Sequence, residues 1–481
     1  MKLEVNYNRL LICMVVGLIL WLIPTPQGLR DNAWHLFSIF AFVIVGILTK
    51  AAPMGTMGML GISLSALLGV LVPNGSAHPA KDGIVNALSG FGNSIIWLIG
   101  VAFFIAEGFM KTGLGSRIAY FFIGKLGRTT LGLAYGLNLS DLILAPVMPS
   151  NTARVGGIVY PITKSIARRL GSVHTGPGTH NRTAAFLTLN AFHANLITAS
   201  LFLTGTASNA MVQKFAADLG VQISWASWAV AASVPALIAF LLMPLLLYKL
   251  MPPSVKRTEN APELAREALR KMGEMKREEW MMLIAFLLLL FLWVFGASLQ
   301  IDVTTAALLG VCFLLLTRVL SWSDIKGEQA AWDTIVWFAA LVMMASYLAK
   351  LGFTAWVAEN IKAYIAQLSW YYAFPIVILL YYYLHYLFAS ATAHVAALYF
   401  PMLSVGVAVG VPPLMLALFL GFCGGLMGGL TNYTQGSAPI LFSAGYVSLR
   451  NWWKFGFVLS VLFLFIFFLF GGIWWKILGM W

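Results

Sequence analysis

The sequence predicts an all-α polytopic membrane protein, with two inverted repeats, about 11 transmembrane helices and two re-entrant hairpins. Three observations predict it. The chain is 60% hydrophobic and only 10% charged, whereas a soluble domain carries about 25% charged residues. Two stretches are copies of each other: SNTARVGGIVYP from Ser150 and SATAHVAALYFP from Ser390, with Asn93–Trp97 (NSIIW) and Asp333–Trp337 (DTIVW) at the same spacing. Each copy sets hydroxyl and amide groups, or prolines, inside long apolar surroundings.

Many apolar runs reach about 20 residues, the length that crosses a hydrocarbon core of roughly 30 Å. The first, near Leu10 to Ile23, has no small-residue cleavage site and is read as a retained span. Spans are predicted near 8–24, 33–51, 54–73 and 93–110, followed by an amphipathic stretch at 114–126. The segment 130–167 is broken in its middle by Pro146, Pro149 and the Ser150 motif, so it reads as a hairpin that enters and leaves on one side. A span at 184–217 is interrupted by Thr204–Asn209, and one at 224–249 closes the first half, 1–249. Residues 250–278 are polar and helix-forming and read as a cytoplasmic interfacial linker helix. The second half, 279–481, repeats the plan: spans at 279–297, 303–320 and 333–350, an amphipathic piece at 353–366, a hairpin at 371–409, a span at 412–447 interrupted by Thr431–Ser437, and a last span at 455–479.

Lysine and arginine concentrate in cytoplasmic loops. Threaded with the N-terminus inside and the C-terminus outside, the spans leave six of the 30 outside: Arg30, Lys81, Lys214, Lys350, Lys362 and Lys476. Arg154 sits within the first hairpin, and the rest fall inside. The first hairpin is flanked by Lys111, Arg117, Lys125, Arg128, Lys164, Arg168 and Arg169, so it faces the cytoplasm; the second, flanked by Lys350 and Lys362, faces outside. The copies therefore have inverted topology. The same loops account for the net charge of +13, and no nucleic-acid partner is implied. Cys13, Cys312 and Cys423 lie in apolar runs without CxxC spacing, so no disulfide framework, metal or cofactor is expected.

Irregular backbone at membrane depth must be satisfied by protein or line a wet cavity. Two hairpin tips and two interrupted spans supply four such segments, which would together form one polar site near the midplane. Its side chains are Ser150, Asn151, Thr152, Ser390 and Thr392 from the tips, with Thr206, Ser208, Asn209, Asn432, Thr434 and Ser437 from the breaks. The N-termini of the half-helices carry partial positive charge and suit an anion. Arg154 and His394 fall at matching places, four residues after each serine. Ionisable groups in a membrane are costly and point to function, and these two would compensate the charge of an anionic substrate. Histidine titrates near 6.5 when unperturbed, so His394 predicts a pH dependence. Membrane carboxylates are few, chiefly Glu107 and Asp141, which argues against a proton pump or a cation channel. There is no HExxH, no GxSxG and no His/Cys cluster to suggest an enzyme. Duplicated halves with polar breaks at midplane depth point to a secondary transporter.

At SNTAR with GGIVYPI, and at HYLFASATAH, the chain resembles the divalent-anion/sodium symporter family over nearly its whole length. It is most similar to the branch of bacterial citrate or tartrate/succinate antiporters and 2-oxoglutarate/malate translocators. The resemblance implies a homodimer working as an elevator in a bacterial inner or plasma membrane. Its substrate would be a di- or tricarboxylate, bound at Ser150, Asn151, Thr152, Ser390 and Thr392. Sodium-coupled members carry the full serine-asparagine-threonine triplet at both tips, with a hydroxyl residue one turn before. Here Ala391 replaces the second asparagine, and Pro146 and Tyr386 stand four residues before the serines. Hard cations need several oxygen ligands. The expectation is therefore sodium-independent exchange of 2-oxoglutarate, malate or succinate, the alternative being sodium-coupled symport of di- or tricarboxylates.

Overall fold

The structure is a computed structural model that describes residues 5–73, 75–169, 182–365, 369–388 and 390–481. The Lys362 side chain, residue 366 of the second amphipathic piece and Ala389 of the second motif lie outside the described residues. Among the described residues there are helices and no strand, with one isolated bridge between Thr129 and Arg257.

In chain order the helices are α1 Tyr7–Leu22, α2 Asp31–Thr49, α3 Met54–Leu67, α4 Pro79–Ala87, α5 Ser94–Thr112, α6 Leu114–Leu126 and α7 Thr130–Leu144. After a break come α8 Tyr160–Arg169, α9 Arg182–Leu201, α10 Ala207–Asp218, α11 Trp225–Leu250 and α12 Asn260–Met272. The later helices are α13 Arg277–Leu299, α14 Val303–Leu316, α15 Trp322–Gly327, α16 Gln329–Lys350, α17 Phe353–Ile365, α18 Trp370–Tyr383, α19 Ala391–His394 and α20 Phe400–Ala408. The last are α21 Pro413–Leu426, α22 Ser437–Ser443, α23 Leu449–Ile466 and α24 Gly472–Ile477.

Nine helices among the described residues are long and apolar enough to cross a membrane unaided. One of them, Ala391–Ala408, is the returning arm of the second hairpin. Three predicted spans are shorter than expected: Tyr7–Leu22, Met54–Leu67 and Val303–Leu316. Hydropathy runs on past the ends of α3 and α14, but the backbone does not. Gly69 (φ 67°) and Arg318 (φ 62°) turn left-handed just beyond them, the usual way a helix is stopped. At 14 residues each, α3 and α14 rise about 21 Å.

The chain divides into two compact units that interleave along the sequence. The first comprises Met1–Gly100, Ala210–Ile223 and Gln329–Gly421; the second comprises Val101–Asn209, Ser224–Glu328 and Phe422–Trp481. Within the second, α9 is buried on every side and is held to α7 by a reciprocal amide pair, Asn138 Nδ2 to Asn190 Oδ1 at 3.2 Å and Asn190 Nδ2 to Asn138 Oδ1 at 2.7 Å. Polar pairs of this kind join helices where apolar burial gives no net drive. The linker helix α12 is amphipathic and packs on α6. Its lead-in is stitched to the α6–α7 turn by Thr130 N–H to Lys256 O (3.1 Å) and Thr258 Oγ1 to Gly127 O (2.6 Å). Large apolar side chains stay exposed on α11, α13 and α23, as Leu241, Phe291 and Phe465 show, and in the first unit on α1 and α18, at Leu18 and Leu380. A bilayer covers such surfaces in an integral membrane protein.

The two copied motifs fold alike. Each serine caps a helix start: Ser150 Oγ accepts from Ala153 N–H at 3.1 Å, and Ser390 Oγ from Ala393 N–H at 3.5 Å. Each helix then widens into π turns, Thr152–Val159 and Val395–Tyr399, that end two residues before Pro161 and Pro401. Proline has no N–H and its ring clashes with the carbonyl four residues back. A wider turn relieves that clash. The copied proline thus explains the copied π segment.

Candidate functional site

The first tip is built on the break between α7 and the π segment. Ser150 is half-buried, Asn151 buried and Thr152 exposed. With Ser150 as cap, the N–H groups of Asn151 and Thr152 begin the helix and lack intrahelical partners. They carry the positive end of the helix dipole.

Arg154 lies one turn further and is fully buried. Its Nε donates to Asp141 Oδ1 at 3.1 Å, its Nη1 to Met148 O and, at 2.8 Å, to Gly205 O, and its Nη2 to Asn151 Oδ1 at 3.3 Å. Asp141 also accepts from Asn195 Nδ2 at 3.0 and 3.1 Å and from Thr198 Oγ1. The expectation of a free compensating cation does not fit this geometry. The guanidinium is matched by a carboxylate, since an unpaired charge at membrane depth is too costly. What Arg154 does instead is join three segments, α7, the tip and the first break, while α9 joins the cluster through Asp141.

That break, between α9 and α10, contains a short 3-10 turn, Leu203–Gly205. Thr204 Oγ1 donates to Pro146 O and accepts from Trp225 Nε1 at 3.0 Å. Asn209 Nδ2 donates to Ala199 O (2.8 Å) and Phe202 O (2.9 Å), satisfying carbonyls freed at the end of α9. Thr206 and Ser208 are buried beside it. In the second break, Thr431 and Thr434 share a hydroxyl contact of 2.7 Å. Trp452 Nε1 donates to Thr431 O at 3.1 Å, and Trp453 Nε1 to Asn432 Oδ1 at 3.2 Å. The loop reaches the first tip at Gly436, where a Cβ would overlap Thr152 Oγ1. Gly436 is therefore what lets loop and tip close on each other.

The first tip and both breaks thus belong to one compact unit, which holds Ser150, Asn151, Thr152, Arg154, Thr206, Ser208, Asn209, Asn432, Thr434 and Ser437. The second tip, with Ser390, Thr392 and His394, belongs to the other. There His394 is fully buried and packs on aromatic rings, with centroids 4.6 Å from Tyr381, 4.5 Å from Phe388 and 5.1 Å from His385.

Two donors of the second unit's site are buried without a partner among the described residues: Asn151 Nδ2 and Ser437 Oγ. Asn209 Oδ1 is also unpartnered. Burying an unmade hydrogen bond costs about 1–3 kcal/mol, and a ligand that met these groups would remove that cost. Donors at a helix start can take a carboxylate, and nothing in the arrangement activates a nucleophile. Sequence reasoning passed over Asn195, Thr198 and the pairing of Asp141. The available signal was a helix, α9, carrying Thr188, Asn190, His193, Asn195, Thr198 and Ser200 within one apolar run.

Known proteins share this architecture. The chain matches the sodium:sulfate symporter transmembrane region over residues 4–481. YflS of Bacillus subtilis (strain 168), provisionally named a malate transporter, is 49% identical over 473 residues, 98% of this chain and 96% of its own length. The chloroplastic dicarboxylate transporter 1 of Spinacia oleracea is 44% identical over 479 residues, 99% of this chain and 82% of its own. The crystal structure of the YdaH transporter of Alcanivorax borkumensis has a similar fold, with a TM-score of 0.59 over 89% of this chain and 99% of that one at 14% identity. The chain belongs to the sodium:sulfate symporter family, the divalent-anion/sodium symporters, and is a membrane transporter rather than an enzyme.

Proposed function

We propose that this protein is a secondary transporter that exchanges dicarboxylates such as 2-oxoglutarate, malate and succinate without sodium, working as a homodimer by an elevator mechanism. The observation that carries the reading is the pair of buried, unpartnered donors, Asn151 Nδ2 and Ser437 Oγ, beside the start of the tip helix. A carboxylate arriving there receives two side-chain hydrogen bonds and the first N–H groups of the helix. Thr152, on the same tip, serves the same anion. Arg154 acts on the substrate only through the tip it holds.

The names of YflS and of the spinach protein support malate and dicarboxylates as the substrate class. Exchange without sodium is supported by the donor set. Pro146 has no side-chain oxygen and its carbonyl already accepts from Thr204. Ala391 gives the second tip no amide, and a hard cation needs several oxygens. Sodium-coupled symport is the second reading, favoured by the family's description.

The test is ligand-dependent stabilisation of the purified protein. Thermal unfolding is followed with malate, succinate, 2-oxoglutarate, citrate and sulfate. The reading expects saturable stabilisation by dicarboxylates, as for any ligand that binds only the folded state, and its loss in Asn151→Ala. Stabilisation by sulfate alone would assign the site to inorganic anions.

A further inference from the structure

The first compact unit holds a cavity of about 490 Å³, within the size range of small-molecule sites. Its wall is polar for a chain so poor in charge. Lys214, Asp218, Ser346 and Lys350 line it, with Ser89 and Asn93 opposite in sequence. Three of these form a built network. Lys214 Nζ bonds Asp218 and donates to Ser346 Oγ at 2.9 Å, and Ser346 Oγ lies 3.2 Å from Asp218 Oδ2. The Lys214 and Asp218 side chains are each 14% exposed, so their charges cancel locally. Lys350 differs. It is exposed, stands over the Tyr347 ring at 4.7 Å and forms no ion pair among the described residues. The cavity therefore carries one uncompensated positive charge. Asn93 spends its Oδ1 on Ile95 N–H at 3.0 Å, which leaves its Nδ2 available to a ligand.

We propose that this cavity is a second anion site, which takes one carboxylate of a dicarboxylate at Lys350, with Asn93 as a neutral donor. The ligand's identity rests on the reading of the protein as a dicarboxylate carrier. The chemistry follows from the lining. One ammonium matches one carboxylate, and the internally neutral Lys214–Asp218 pair shapes the wall without attracting a cation. The size leaves room for a second, hydrated carboxylate. A single exposed cation binds weakly and releases quickly, as a site on a transport path must. By charge threading, Lys214 and Lys350 lie on the outer side, so the site serves substrate arriving from that side.

Equilibrium binding of labelled succinate to the purified full chain tests this, with wild type compared with Lys350→Gln, Lys350→Arg, Asn151→Ala and, as a control for general surface charge, Lys81→Gln on α4. Two sites per chain are expected in the wild type, the weaker one lost or weakened about tenfold in Lys350→Gln and kept in Lys350→Arg and Lys81→Gln. Asn151→Ala is expected to lose only the tighter one. A single site sensitive to Asn151→Ala alone, or no binding at all, overturns this proposal. A single site sensitive to Lys350→Gln alone upholds it and removes the tip reading instead. Equal displacement by the same concentration of chloride overturns the dicarboxylate assignment.

Discussion

Arg154 and Asp141 are bonded at 3.1 Å, Nε to Oδ1, with 0% and 2% of their side chains exposed. The pair ties the first tip to the helix that leads into it. Around it Asn195, Thr198 and the Gly205 carbonyl take up the remaining donors and lone pairs. A buried pair of this quality is hard to break from one side, because the partner left behind stays charged in a dry place.

Arg154→Met is accordingly expected to destabilise the protein by about 3–5 kcal/mol. The double substitution Arg154→Met with Asp141→Leu removes the orphaned carboxylate and should recover much of that loss. Thermal unfolding in detergent measures both. A single variant as stable as wild type would show that the pair does not brace the tip.

Pro161→Ala restores an N–H that can bond back toward Gly157, favouring an ordinary α turn over the π turns of Thr152–Val159. The tip should shift and substrate affinity fall, while thermal stability is kept. Unchanged affinity would mean that the π geometry is incidental to binding.

Gly436→Ala sets a Cβ against Thr152 Oγ1. Apparent affinity for malate should fall about tenfold, the equivalent of one hydrogen bond to a charged group. Adding Thr152→Ala relieves the overlap, so the double variant should unfold at a higher temperature than Gly436→Ala alone. An unaltered melting temperature in Gly436→Ala would show that loop and tip have slack between them.

Much of the helix plan was legible because apolar runs, prolines and capping serines are local signals. The amphipathic stretch at 114–126 and the breaks at 150, 204 and 431 fall where hydroxyl, amide and proline residues interrupt those runs. The short ends of α3 and α14 were not legible, since hydropathy does not register a left-handed Gly69 or Arg318. The Arg154–Asp141 pair was hidden for another reason. Its members are separated by a break whose direction the sequence does not give, and their further partners sit on α9. A helix buried all round has no polar face, so its asparagines and threonines leave no periodic trace. The matching positions of Arg154 and His394 suggested matching roles. Their surroundings differ, a carboxylate cage for one and an aromatic cluster for the other, and only a folded chain shows that.

The most direct test of the account is counter-exchange in proteoliposomes. Vesicles reconstituted with the protein are loaded with unlabelled malate or left empty, and uptake of labelled 2-oxoglutarate is followed with sodium or with choline outside. The account predicts rapid uptake into loaded vesicles, little into empty ones, and the same rate in both salts, with Asn151→Ala inactive throughout. Uptake into empty vesicles that disappears when choline replaces sodium would contradict it and establish sodium-coupled symport.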